Sequence, residues 1–290
     1  MLGGLVTGFR IALCPKFGKR DAEGARRCAY SGMLLIVCIG VALGLSSLVW
    51  MRPLLQSMRT PLQLLEDSVW YGVFSCLSCV VTYVFQGILA IFSAKGQGKT
   101  VMLLNALSIL FRIFFSVLFV LWLSAGLVGI LLAALCADVC AALSCLPLFR
   151  HAPSPFSSHR PFSPCGKDAG QILSLGLPIG LQTLATTLGM LVLRAGVNEY
   201  LGADYISATA ASGQLIAWLM QPICLWGTAL SVSYGQNLAA RQEDRARRGV
   251  RLSLVICEGW AFCCIAISFL FSRTVAGWFT TQTEILPIAA

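Results

Sequence analysis

Charge is what this sequence is short of. Only 11% of its 290 residues are charged, against about 25% in an ordinary soluble domain, while 57% are apolar. Such a chain has too few polar groups to cover a surface in water, which excludes a soluble globular domain and a disordered segment. Acidic residues are the scarcer kind, 12 against 21 basic, and the net charge of +9 would fit a nucleic-acid binder if the basic residues shared one surface. Histidine occurs twice, at His151 and His159, and no nucleophile lies in a pattern with a base, so no enzyme activity, catalytic residue or metal site is expected. Cysteine is not scarce, with 13 copies, but Cys38, Cys76, Cys136, Cys140, Cys257, Cys263 and Cys264 sit inside apolar runs, where a free thiol behaves as a small hydrophobe. No disulfide framework is expected.

What is present is long apolar runs. Residues 28–51 and 68–94 carry no charge at all, and each exceeds the roughly 20 residues that cross a bilayer. Runs bounded by charge give spans at 1–14, 31–50, 70–93, 102–123, 127–149, 170–196, 206–232 and 252–271, seven full spans after one short one. The run 102–149 is divided at Ser124 to Gly126, where turn residues fall. Met1 to Phe9 lacks a basic leader and a cleavage site, so it is expected to be half of a span, not a signal peptide. Lipid offers backbone groups no partner, so every span is predicted helical.

The basic residues obey topology. Fifteen of the 21 fall in alternate connections, at 16–27, 95–99, 150–167 and 241–251, whereas the opposite connections hold only Arg52, Arg59 and Arg273. The basic side is expected to face the cytoplasm, and the positive charge is topology, not a nucleic-acid footprint. One connection differs: HAPSPFSSHRPFSPC at 151–165 is rich in Pro and Ser and reads as a linker. The expected organisation is an incomplete first lobe at 1–150, a cytoplasmic linker at 151–168 and an incomplete second lobe at 169–290.

Sliding the chain on itself reveals a repeat. FGKRDAEGARRC at 17–28 lies over LAARQEDRARRG at 238–249 without a gap, at an offset of 221 that places Arg20, Arg26 and Arg27 over Arg241, Arg247 and Arg248. Six spans separate equivalent points, so the copies point the same way, as parallel repeats do in some transporters. Completing both copies would need roughly 420 residues and roughly twelve spans, so the chain reads as truncated at both ends.

YGQNLAARQEDRARRG at 234–249, CPKFGKRDAEGARRC at 14–28, SAKGQGKT at 93–100, LGLPIGLQTL at 175–184 and YLGADYISATAASGQLIAW at 200–218 together resemble motifs of the multidrug and toxic compound extrusion (MATE) transporters. The resemblance covers the end of that family's second helix through its ninth. It implies an all-α integral membrane protein, a multi-span bundle that is part of a twelve-helix, two-lobe transporter with parallel six-helix repeats. It also implies cation-driven antiport of organic cations and drugs, with a proton or sodium as coupling ion, no cofactor, and a plasma-membrane location. The family's coupling carboxylate on its first helix would precede Met1. An acidic residue that some members carry on the seventh helix, eight positions after its proline, falls at Thr186 here.

Polar residues within spans are the candidate substrate or ion path. Thr183, Thr187, Arg194 and Asn198, with Gln182 and Thr186 beside them, form a stripe at near-helical spacing that serves either helix association or a water-filled path. Arg194 either snorkels to the interface or lines that path. Arg112 and Asp138, on adjacent spans, form either a structural pair or a proton or substrate site, and Glu258 is expected near the cytoplasmic interface. Pro178 and Pro222 interrupt their spans, and Ala208 to Gly213 reads as a close-packing segment. Two look-alikes are set aside. SAKGQGKT has Ser93 where a phosphate loop needs glycine and follows no strand, so no nucleotide is expected, and Cys76-Leu-Ser-Cys79 has no second ligand pair. The expected partners are the lipid bilayer and small organic cations. Two other readings stay open: a lipid-linked sugar flippase of the same superfamily, whose anionic cargo would suit arginines, and a truncated membrane protein that does not transport.

Overall fold

In a computed structural model the described residues are 2–57, 62–122, 126–145, 166–200 and 203–276, and every element among them is helical. The helices are α1 (Leu2–Gly18), α2 (Ala22–Ser57), α3 (Leu62–Ala94), α4 (Gly98–Ser116, continued by a π turn Val117–Trp122), α5 (Gly126–Ser144), α6 (Gly166–Tyr200), α7 (Ala203–Ala239) and α8 (Glu243–Ala276). Each covers one predicted span. The π turn and the positive φ of 55° at Gly126 bracket the predicted division of the 102–149 run. Six helices are long and apolar enough to cross a membrane; the apolar stretch of α5 among the described residues, Val128–Ser144, is shorter, and residues 146–149 of the span predicted there lie outside them. Most helices overrun their apolar cores, because Arg, Lys and Glu propagate a helix well once lipid has fixed its centre. The linker at 151–165 lies outside the described residues.

The repeat has a backbone counterpart. Three helices end on the same turn, in which the amide two residues past the last full turn reaches back across six residues and the one before it across four. After α1 these bonds are Asp21 N to Lys16 O (3.0 Å) and Arg20 N to Phe17 O (3.0 Å); after α7 they are Gln242 N to Asn237 O (2.9 Å) and Arg241 N to Leu238 O (3.1 Å). Every pair differs by the offset of the sequence repeat. The turn after α3 repeats the pattern with Gly96. The pivotal residue must take a left-handed conformation, with φ of 56° at Arg20, 59° at Arg241 and 83° at Gly96. Asp21 then caps α2 by accepting from Gly24 N at 2.8 Å.

The chain divides into two compact units, Met1–Leu181 and Gln182–Ala290. In the first, α3 is central: it packs against α1, α2, α4 and α5. Its apolar core joins Phe85, Leu89 and Phe92 of α3 to Leu104 of α4 and to Ala141 and Cys145 at the end of α5. The first half of α6 lies antiparallel on α1 through four glycines. A Cβ on Gly4 would stand 2.3 Å from the amide nitrogen of Gly180, and one on Gly8 2.4 Å from that of Gly176, so the two backbones are in direct contact. Lys16, in the last turn of α1, pairs with Asp168 in the first turn of α6 at 3.5 Å, each charge also favoured by its helix dipole. Beside the crossing is an apolar cavity of about 70 Å³ lined by Leu2, Leu5, Ile39, Leu173 and Leu177 with Gly176 and Gly180.

In the second unit α7 packs on α8. Trp260 of α8 donates its indole N–H to the Leu219 carbonyl at 2.9 Å, and the Cys264 thiol approaches the same oxygen at 3.9 Å. That carbonyl lies three residues before Pro222, whose missing amide and bulky ring loosen the helix there, and a neighbouring helix supplies donors to the loosened turn. Large apolar side chains such as Leu103, Ile109 and Ile113 of α4 point outward, as a bilayer allows and water does not.

Candidate functional site

α5 shows how a carboxylate is carried into the first unit. Ala133, Ala137 and Ala141, each 0% exposed, recur every fourth residue, and their small side chains let α5 approach its neighbours closely. Asp138 follows on the same side and is 2% exposed, one turn from the apolar core that ends at Ala141 and Cys145. A carboxylate desolvated this far requires partners. It has two. The Thr82 hydroxyl of α3 donates to Oδ2 at 2.5 Å, and Arg112 of α4 donates from Nη2 to Oδ1 at 3.2 Å and to Oδ2 at 3.4 Å.

The arrangement is lopsided. One guanidinium nitrogen serves both oxygens, so the two-pronged fork that makes arginine pairs strong is not formed. The Arg112 side chain is 52% exposed and that of Asp138 4%. The acid is hidden while the side chain of its counter-ion is half exposed. The two residues singled out in the sequence are therefore brought together. Thr82 was not foreseen, since threonine is common in spans and nothing in the chain links it to a residue 56 positions away.

The α6 stripe lies in the second unit. Gln182, Thr183, Thr186 and Thr187 are all exposed. Thr186 donates to the Gln182 carbonyl at 3.0 Å and Thr187 to the Thr183 carbonyl at 2.8 Å, so both hydroxyl protons are held within the helix and the oxygens remain as acceptors. The backbone of Arg194 and Asn198 continues α6, and their side chains lie outside the described residues, as do those of Ala208 to Ser212. Glu258 is exposed on α8.

One intramembrane cation carried no assignment in the sequence. Arg10 lies within α1, and its Nε is buried with no hydrogen-bond partner among the described residues. The glycine crossing was also missed, although Gly4 with Gly8 and Gly176 with Gly180 each show the four-residue spacing of close-packing membrane helices. The twelve described cysteines are free thiols, and no group of three or more His, Cys, Asp or Glu among the described residues is placed to hold a metal.

Comparison with known proteins gives one family. The MatE family model matches residues 1–118 and 178–290. Two Bacillus subtilis (strain 168) proteins are similar: "Probable multidrug resistance protein YpnP", 25% identical over 83% of this chain and 54% of its own length, and "Probable multidrug resistance protein YoeA", 19% identical over 99% and 63%. The chain thus spans between half and two thirds of these relatives. Among solved structures, an outward-facing multidrug resistance MATE family transporter of the MOP superfamily superposes with a TM-score of 0.89 at 21% identity, over 99% of this chain and 65% of that one. A MOP superfamily transporter from Pyrococcus furiosus, described as having a binding pocket of reverse polarity that suggests a different function, superposes at 0.87 with 21% identity, over 98% and 64%. The shared fold, the repeat and the family match covering most of the sequence agree: this chain belongs to the MatE family of membrane transporters.

Proposed function

We propose that the chain acts in the export of amphipathic organic cations and drugs across the plasma membrane, in exchange for protons or sodium. The observation that carries this reading is Asp138, a carboxylate 2% exposed within a membrane helix, whose counter-ion Arg112 is half open. A proton or sodium ion arriving at Asp138 displaces Arg112, and the freed guanidinium changes the charge presented by the first unit. Thr82 holds Oδ2 through the exchange. The acceptor oxygens of Thr186 and Thr187, on the exposed face of α6, suit a substrate bearing N–H groups. In this reading the basic connections at 16–27, 95–99, 150–167 and 241–251 face the cytoplasm.

The test is efflux of a cationic dye from proteoliposomes under an imposed proton or sodium gradient. Gradient-dependent efflux that Asp138→Asn abolishes is the expected result. Efflux insensitive to both gradients refutes the coupling, and full activity in the variant refutes the role of Asp138.

A second reading, movement of a lipid-linked anionic sugar, is favoured by Arg10. With Arg112 it gives the helices of the first unit two guanidiniums against the Asp138 carboxylate, and its Nε lacks a partner among the described residues. Uptake of an anionic amphiphile in the same vesicles, lost in Arg10→Gln while cationic dye is not moved, would decide for it.

A further inference from the structure

The start of α8 is the most strongly charged surface of the second unit. Arg241, Arg245, Arg247, Arg248 and Arg251 are all exposed, against two acidic residues, Glu243 and Asp244. The ion pair at this surface among the described residues joins Arg247 to Glu243 at 3.7 Å. Helix geometry explains why the arginines stand clear. Ala246, Ser253 and Cys264, at 3%, 7% and 5% exposure, lie seven and eleven residues apart, close to whole numbers of turns, and form the stripe that packs against α7. Arg245, Arg248 and Arg251, three residues apart, and Arg247 fill the opposite arc.

Length places this arc in the membrane interface. α8 has 34 residues and is about 51 Å long, whereas the hydrocarbon core takes up about 30 Å. The apolar run begins at Leu252, so the excess stands at the amino-terminal end, where lipid phosphates lie.

The backbone adds a second observation. Arg241 holds the left-handed position of its turn at φ 59°, although the matching turn after α3 fills that position with Gly96, the residue to which such a φ costs nothing. A guanidinium stands where glycine would fold more easily, as Arg20 does at φ 56° in the first copy, so both turns present an arginine at their tip. The first copy shares an i,i+4 pair of the same kind, Arg27 with Glu23, and differs in that Lys16 pairs with Asp168 and Arg26 also has a partner.

We propose that the arginine face formed by Arg241, Arg245, Arg248 and Arg251 binds the phosphate groups of anionic phospholipids in the leaflet it meets. Arginine suits this role because its planar fork matches a phosphate and because basic residues beside a span are drawn to an anionic surface.

The test uses the whole chain, purified in mild detergent from membranes containing phosphatidylglycerol and phosphatidylcholine, with retained lipid counted by mass spectrometry. Phosphatidylglycerol is expected to be enriched several-fold over its share in the membrane. The enrichment falls to that share in the variant R241G/R245Q/R248Q/R251Q and survives Lys19→Gln. Arg241→Gly alone supplies a readout that misfolding cannot mimic: in phosphatidylcholine its unfolding midpoint rises, because strain is relieved, while phosphatidylglycerol retention drops. Equal retention by the fourfold variant and the parent overturns the proposal. So does stabilisation by inorganic phosphate without lipid enrichment, which would make the face a soluble-anion site.

Discussion

Replacing Gly8 by alanine adds one methyl group at the crossing of α1 and α6, and the structure states what it strikes. The new Cβ would lie 2.4 Å from the Gly176 nitrogen and 2.5 Å from its Cα, where ordinary contact begins at 3.4 Å. Both struck atoms are backbone and cannot swing aside, so the helix axes must part by about 1 Å. A gap of that size forfeits about a quarter to a half of the dispersion energy along the contact. Overpacking of this kind costs about 1–3 kcal/mol. In lipid no hydrophobic drive holds the helices together in compensation. At about 2–4 °C per kcal/mol for a chain of this size, the unfolding midpoint falls by about 2–12 °C. The protein supplies its own reporter, since Cys14 and Cys28 are 1% and 0% exposed and react with a thiol-specific fluorophore once their helices open. Gly170→Ala in α6 and Gly259→Ala in α8 meet nothing within 4 Å and serve as comparisons. They gain helix propensity of up to about 1 kcal/mol, and their midpoints stay or rise. If Gly8→Ala behaves as these two do, the backbones do not touch and the reasoning fails.

Arg112→Gln leaves the buried Asp138 carboxylate with Thr82 as its partner and, Arg112 being half exposed, is expected to cost about 1.5–3 kcal/mol, whereas Arg112→Gln with Asp138→Asn recovers most of it; additive losses in midpoint would show that the two side chains do not interact. Arg20→Gly, at a φ of 56°, is expected to stabilise by about 1 kcal/mol, checked by the same thiol assay, and a lower midpoint would mean that the Arg20 side chain contributes more than its backbone costs. Trp260→Phe removes the donor to the Leu219 carbonyl while keeping the ring, for a loss of about 0.5–1.5 kcal/mol; amide exchange at the turn before Pro222 should quicken, and unchanged exchange would show the bond to be idle.

The spans were legible because lipid imposes a crude rule, apolar or not, that hydropathy reads directly. Their ends were less so: α2 was expected over 31–50 and runs from Ala22 to Ser57, since outside the hydrocarbon a helix continues until capping stops it, and capping at Asp21 depends on one side chain. The repeat was legible for a different reason. Arginines are few within an apolar chain, so three of them at one offset stand out, and the paired turns at Arg20 and Arg241 have the same bonds. Arg112 and Asp138 could be paired in advance because charges within spans are rare and adjacent spans touch. Thr82 could not, because threonine is abundant, and the glycine crossing could not, because its two halves are separated by most of the chain.

α6 shows why composition and packing divide a membrane chain by different criteria. Proline, serine and charge over 151–168 are what the sequence offers as a boundary, and composition of that kind reads solvent. The compact units divide at Leu181 and Gln182, inside a continuous helix, which is a property of contact. Before that point α6 is tied to α1 by Gly176 and Gly180 and by the Lys16–Asp168 pair. Directly after it come Gln182, Thr183, Thr186 and Thr187, exposed and polar, and the next glycine is Gly189. Pro178 sits three residues before the division and removes the amide that would have bonded to the Ser174 carbonyl, so the helix is least constrained by its own hydrogen bonds near where its contacts change. One helix thus serves as scaffold in its first half and presents its polar stripe in the second, and the glycines and the threonines mark the two tasks.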